Sequence, residues 1–363
     1  MAVHVSIKAQ AWLFIVTILL TSATTTFAAD DLDGTNDAHD TSPAASTGYE
    51  LGHGYRLGNS GFTVGGYTSL QYQNLQSKSV SGPDTSLSHL NMFVWWQSES
   101  RVKLFSEIDN QSLLTADEQS QNTGEHFLAV ERLYFDYTLN DLLTVRAGKY
   151  LTPIGRWNQI HADPLVWTTS RPLITSNIFP DHVSGLMALG NVSLFGMPAE
   201  YTVYTSIGTD MRPDRSEGQF NEAYGARLNL PVNENLQVGV SYSGFKATPE
   251  PGSTERLVGF DFIWSSQGTE LSAETAFRYS SLGAKYDVRG GFLQAVTPIY
   301  DRLYLVGRIE SLSNPTDQKT TKLDVLGLNY RYSRALSFKM ELIHGINQSI
   351  NDSGFLSSVS VLF

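Results

Sequence analysis

The chain has 363 residues, of which 17% are charged and 41% hydrophobic, with a net charge of −11 and no cysteine. The acidity argues against nucleic acid as a partner, and the missing thiols exclude disulfide frameworks and thiolate metal sites. Abundant Gly, Tyr, Phe, Ser and Thr favours strands over long helices.

At the start, Lys8, the apolar run Trp12–Leu20 and the small residues around Thr26–Ala29 read as a secretory signal peptide over 1–28. The run is short for a spanning helix, and no later stretch approaches about eighteen apolar residues. Residues 29–60 open with Asp30, Asp31, Asp33, Asp37 and Asp40 and read as an acidic, flexible periplasmic segment. Within it, Tyr49–Leu57 leaves open an additional hairpin.

From residue 61 one unit repeats: about ten alternating apolar and polar residues, then a turn. Strands are expected near 61–76, 86–97, 100–109, 127–139, 142–151, 183–191, 198–207 and 220–230. They continue near 235–246, 255–266, 269–279, 287–298, 301–311, 320–331, 336–345 and 354–363, sixteen in all. The connections alternate. Short ones such as Asn140-Asp141 and Ser266–Gly268 take turns with long ones at 77–85, 110–126, 152–182, 208–219, 247–254, 280–286, 312–319 and 346–353. A soluble sandwich has no reason to place every long loop at one end, whereas an outer-membrane barrel does. Strand faces agree: Leu271, Ala273 and Phe277 oppose Glu270, Glu274 and Arg278, and Leu303, Leu305 and Ile309 oppose Arg302, Arg308 and Glu310. The fold class expected is all-β, a transmembrane antiparallel β-barrel over 61–363 of sixteen strands.

Aromatics near strand ends (Trp95, Trp96, Tyr137, Tyr204, Trp264, Tyr279, Tyr332) suit interfacial girdles. The terminal strand, with Phe355, Val359, Val361 and Phe363 on one face, closes the barrel against the first and abolishes both edges. Its last residue, Phe363, resembles the terminal aromatic signal that delivers such proteins to the barrel-assembly machinery.

The longest loop, 152–182, carries Pro153, Pro164, Pro172 and Pro180, so it is neither a strand nor a long helix. It also carries Trp157, Trp167, Ile174, Ile178 and Phe179, more apolar surface than water tolerates, so something concave must receive it. The stretch Arg146-Ala147-Gly148-Lys149-Tyr150 followed by Thr152-Pro153-Ile154-Gly155 resembles a run found in the phosphate-selective porin O/P group of Gram-negative bacteria. That resemblance implies a homotrimer in outer-membrane lipid, with the third extracellular loop folded inward as a constriction. The third long loop here is 152–182.

Phosphate selectivity is not carried over, because the expected lumen positions mix signs rather than forming basic ladders. The pore-lining and constriction candidates are Arg101, Lys103, Glu107, Arg132, Asp136, Arg146, Arg156, His161, Asp163 and Arg171. Arg101, Lys103, Arg132 and Arg146 are expected to form a basic arc facing the loop, with Asp163 and Asp181 opposite and Glu107 and Asp109 near the outer mouth. His126, His161 and His182 are not at ligand spacing, so no metal is expected. No GxSxG, HExxH or Gly-rich phosphate loop occurs in a fitting context, so neither catalytic residues nor a cofactor is expected. The expectation is an outer-membrane channel for passive diffusion of small hydrophilic solutes and ions. Alternatives are a channel of the same fold that prefers anions, phosphate, carboxylates or sugars, and a non-conducting structural or adhesin barrel.

Overall fold

The computed structural model describes residues 48–76, 83–97, 101–116, 127–160, 162–178, 181–208, 211, 220–247, 253–313, 320–346 and 353–363. The expected signal peptide and acidic stretch to residue 47, His126 and His161 lie outside them.

A short antiparallel hairpin comes first, β1 (Gly48–Glu50) and β2 (Gly54–Arg56), with Tyr49 opposite Tyr55. The end of the segment read as flexible is therefore ordered from residue 48. Then come β3 (Phe62–Gln76), β4 (Asp84–Gln97), β5 (Val102–Ala116), β6 (Phe127–Asn140), β7 (Leu143–Leu151), β8 (His182–Leu194), β9 (Met197–Ser206) and β10 (Phe220–Asn233). The series continues with β11 (Leu236–Ala247), β12 (Thr254–Ser266), β13 (Thr269–Ser280), β14 (Val288–Tyr300), β15 (Leu303–Ser313), β16 (Thr320–Arg331), β17 (Leu336–Ile346) and β18 (Ser353–Leu362). Each strand from β3 onward pairs antiparallel with the next, and β18 pairs with β3 from Ser353↔Gln76 to Leu362↔Tyr67, which closes a sixteen-stranded barrel. At the seam the Gly66 amide donates to Phe363 O at 2.8 Å, and the Phe363 amide donates to Gly66 O at 2.7 Å. β2 pairs with β3 below that seam, at Tyr55↔Val64 and Arg56↔Thr63.

The tight turns lie at one end. Phe195-Gly196 and Gln267-Gly268 hold positive φ at both residues (54° and 80°, 51° and 77°), the twist that a two-residue hairpin between right-twisted strands needs. Arg302, expected on a strand, sits in the short turn between β14 and β15 with φ 59° and donates to Tyr332 O.

Alternation sorts the side chains. Met92, Ile108, Phe135, Leu186, Val203, Phe260, Leu293, Ile309, Leu326 and Met340 are exposed on the outside. Glu107, Asp109, Arg227, Asp261, Glu274, Arg308, Glu310, Lys339 and Glu341 are buried within. An apolar belt around a charged interior inverts a soluble barrel and matches a bilayer, where backbone groups must be satisfied within a closed sheet. Two aromatics expected in the girdles face inward instead. Tyr204 donates to Ser243 Oγ at 2.8 Å, and Trp95 meets Phe93 edge-to-face, with ring centroids 5.2 Å apart. Both occupy the inward parity of their strands, which composition alone does not reveal. Because β5 runs on to Ala116, Glu107 and Asp109 sit well within the strand rather than at the outer mouth.

Candidate permeation pathway

The site is built by residues 152–181, which join β7 to β8. The base is pinched: the Thr152 amide donates to Asp181 O at 2.8 Å, and Asn158 Nδ2 donates to Thr152 O at 2.8 Å and Asp181 O at 3.1 Å. From there the segment turns into the barrel and lies against the β11–β17 wall. Ile154, Trp157, Val166, Leu173, Ile174 and Ile178 pack with Phe245, Leu257, Val288, Phe292, Leu312 and Leu323 of that wall in one buried cluster. The apolar surface of the loop is thus covered by apolar lumen positions.

Polar bonds fix the same contact, and they read the loop's backbone. Glu274 Oε1 accepts the amides of Arg156 and Trp157 at 2.8 and 2.5 Å. Gly155 sits beside it at φ 65°, where a Cβ would collide with the Glu274 carboxylate. Glu310 accepts the Leu173 amide at 2.6 Å, at the start of the helical turn Leu173–Asn177. Glu341 accepts the amides of Thr169 and Ser170 and the Ser170 hydroxyl. In the other direction, Arg308 donates to Ser170 O at 3.0 Å and Lys339 to Asp163 O at 2.5 Å. Asn329 donates to Trp167 O at 2.9 Å, Arg331 to Leu165 O at 3.0 Å and Arg278 to Ile178 O at 3.2 Å. Hydrogen bonds to charged groups contribute about 1.5–3 kcal/mol each, so this wall holds the loop firmly.

The opposite wall, β3–β7, carries most of the expected pore residues. Arg132 donates to Glu107 at 2.5 Å, Arg146 to both Asp136 oxygens at 2.7 and 2.9 Å, and His89 Nδ1 lies 2.7 Å from Asp109. In each pair the base is the more open partner: 21% against 0%, 21% against 12%, and 26% against 1%. Aromatic rings back the arginines, with Arg132 4.5 Å from the Phe105 centroid and Arg146 3.7 Å from Tyr134. Tyr67, Phe93, Trp95, Phe105 and Tyr134 form a contiguous ring cluster across β3–β6. His182, at the loop's exit, lies 2.9 Å from Glu131.

The remaining candidates are scattered. Arg101 precedes β5 and donates to Leu139 O at 2.8 Å, an exposed rim position below the loop, so the basic arc does not extend to it. Lys103 is exposed, opposite Asp136. Arg156 leans towards Gln237 at 3.4 Å, and Asp163 is half-buried. Arg171, within the loop, is an exposed residue. Enclosure by the barrel draws its basicity down, but the charges of Asp181, Asp163 and Glu131, with Tyr67, outweigh this and hold it above its ordinary value. Glu274, Glu310 and Glu341 are legible as lumen charges but carry no signal for their loop-holding role, because they bind amides that every residue possesses. Among the described residues, no group of three or more His, Asp or Glu is placed to hold a metal.

No family model matches the sequence. An uncharacterised protein of Aquifex aeolicus is 28% identical over 212 residues, covering 55% of this chain and 46% of its own, so the chain spans about half the length of that relative. Among solved structures, the anion-selective porin from Comamonas acidovorans aligns with TM-score 0.61 at 11% identity, over 83% of this chain and 99% of that one. OmpF of Salmonella typhi, in complex with daunomycin, aligns with TM-score 0.61 at 10% identity, over 85% and 99%. The outer-membrane channel DcaP of Acinetobacter baumannii aligns with TM-score 0.56 at 11% identity, over 86% and 100%. Likeness at that identity speaks to architecture, and the chain has the sixteen-stranded barrel fold of the outer-membrane porins.

Proposed function

We propose that the protein is an outer-membrane channel through which small hydrophilic solutes and ions diffuse passively, with residues 152–181 as its constriction. The observation that carries this reading is the asymmetry of the lumen. One wall clamps the loop, while on the other His89, Arg132 and Arg146 keep a fifth to a quarter of their side chains open to water. Selectivity in such a passage comes from diameter and from charged groups at its edge. Liposome swelling with a graded series of neutral sugars tests it: uptake that falls smoothly with solute size supports a general pore, and no swelling with any sugar opposes it.

A second reading, a preference for anionic solutes, is favoured by the order of charges in those pairs. The acids are covered and the bases face the lumen. A salt-gradient reversal potential of anion sign supports it; a cation-sign potential removes it.

In the same reading, a signal peptide exports the chain, Phe363 presents the last strand to the barrel-assembly machinery, and the barrel works as a homotrimer in outer-membrane lipid.

A further inference from the structure

The outward face of β12–β16 carries a feature that a passive channel does not use. It is one end of a pocket of about 1090 Å³ lined by residues of β10–β16, and on that face it forms a trough whose floor is opened by Ala273, Thr275 and Gly291 between the larger Phe260, Leu293 and Ile309. At its extracellular end stand Arg289 and Lys322, near the starts of β14 and β16, with the hydroxyls of Ser311, Ser313 and Thr320 around them. β15 lies between the two cations: Ser311 is opposite both Gly291 and Lys322, and Ser313 Oγ accepts the Arg289 amide at 2.8 Å. Two strand spacings and a two-residue offset set the Cα atoms of Arg289 and Lys322 about 12 Å apart, within reach of one group through their long side chains. Both are exposed, and no carboxylate among the described residues forms an ion pair with either.

An apolar trough capped by two cations and a set of hydroxyls has the chemistry of one amphiphile. Hydrocarbon fits below, and an anionic, oxygen-rich group fits above, where long basic side chains reach headgroup level. Resting on the outer-membrane reading above, we propose that this trough binds a phosphorylated lipid of the outer leaflet, with an acyl chain along Ala273 and Gly291 and a phosphate between Arg289 and Lys322. Asp324, one level below Lys322, is exposed on the same face, which suits a hydroxyl or amide N–H of the headgroup rather than a second phosphate. A second copy of the chain is a poorer occupant. On the described extracellular rim of β10–β17 the acids that are not buried are Glu222, which already pairs with Lys246 at 2.8 Å, Asp287, whose Oδ1 accepts the Ser280 amide at 2.9 Å, and Asp324, which belongs to the patch itself.

The test is native mass spectrometry of the full barrel in detergent, titrated with lipid A and, separately, with the deacylated phosphorylated disaccharide. Wild type and Arg289→Lys are expected to bind lipid A, Arg289→Gln/Lys322→Gln to bind it at least about tenfold more weakly, and Ala273→Phe to weaken it through the trough. The disaccharide alone is expected to bind none of them. Equal lipid A binding in the Gln double variant overturns the proposal, as does disaccharide binding as tight as that of the whole lipid. A change of oligomer mass in the double variant with unchanged lipid binding overturns it in favour of a subunit interface. Planar-bilayer conductance of each variant is read in parallel: wild-type values show a folded channel, so failure of the lipid site is distinguishable from failure of the channel reading.

Discussion

Arg132 shields Glu107: the guanidinium stands 2.5 Å from the carboxylate, which is wholly buried while the arginine keeps a face to the lumen. Replacing Arg132 with Ala uncovers a buried acid. The expected cost is about 2 kcal/mol, below the full penalty for breaking a buried pair because the arginine already touches water. Equilibrium urea unfolding in lipid vesicles measures the cost. The reversal potential of Arg132→Ala should move towards cations, and Arg132→Ala/Glu107→Gln should move it back. An unmoved potential in the single variant removes Arg132 from the pathway.

Glu274 is the anchor at the loop's entry, holding the amides of Arg156 and Trp157. Glu274→Ala leaves both without that acceptor and should weaken docking by about 3 kcal/mol. Limited proteolysis should then cut within 152–181 while the barrel stays heat-modifiable on a gel. A protease-resistant loop in that variant contradicts the anchor.

Gly155 reaches φ 65° against the same carboxylate. Gly155→Ala should add roughly 2 kcal/mol of strain at that point. The readout is open-channel noise, expected to rise without loss of folded protein; a quiet trace identical to wild type counts against the tight turn.

At the seam, Phe363 makes two backbone bonds with Gly66. Deleting Phe363 should reduce the yield of heat-modifiable barrel in cells more than it reduces refolding of purified chain in detergent micelles. Equal losses in both settings point to a purely structural role for the residue.

Strand identity was legible because two-residue periodicity reports which side chains meet lipid, and that pressure acts on every strand. Finer placements depended on parity and register. Trp95 and Trp96 are adjacent, so one faces the ring cluster and the other faces out, and composition treats them alike. Lys149 sits in the recognisable Arg146–Tyr150 stretch, yet it is buried and donates to Met211 O at 3.1 Å, a partner supplied by a distant loop. The loop's apolar content announced that it needed a receiving surface. Which wall received it was hidden, because Glu274, Glu310 and Glu341 recognise backbone amides, and a backbone amide leaves no trace in the sequence.

In the function proposed above, residues 152–181 set the width of the passage. Single-channel conductance of a variant lacking 158–170 tests it most directly. The loss of Trp167, Ser170 and their wall contacts should raise conductance at least roughly twofold in a barrel that still folds. A folded deletion variant with wild-type conductance would contradict the claim.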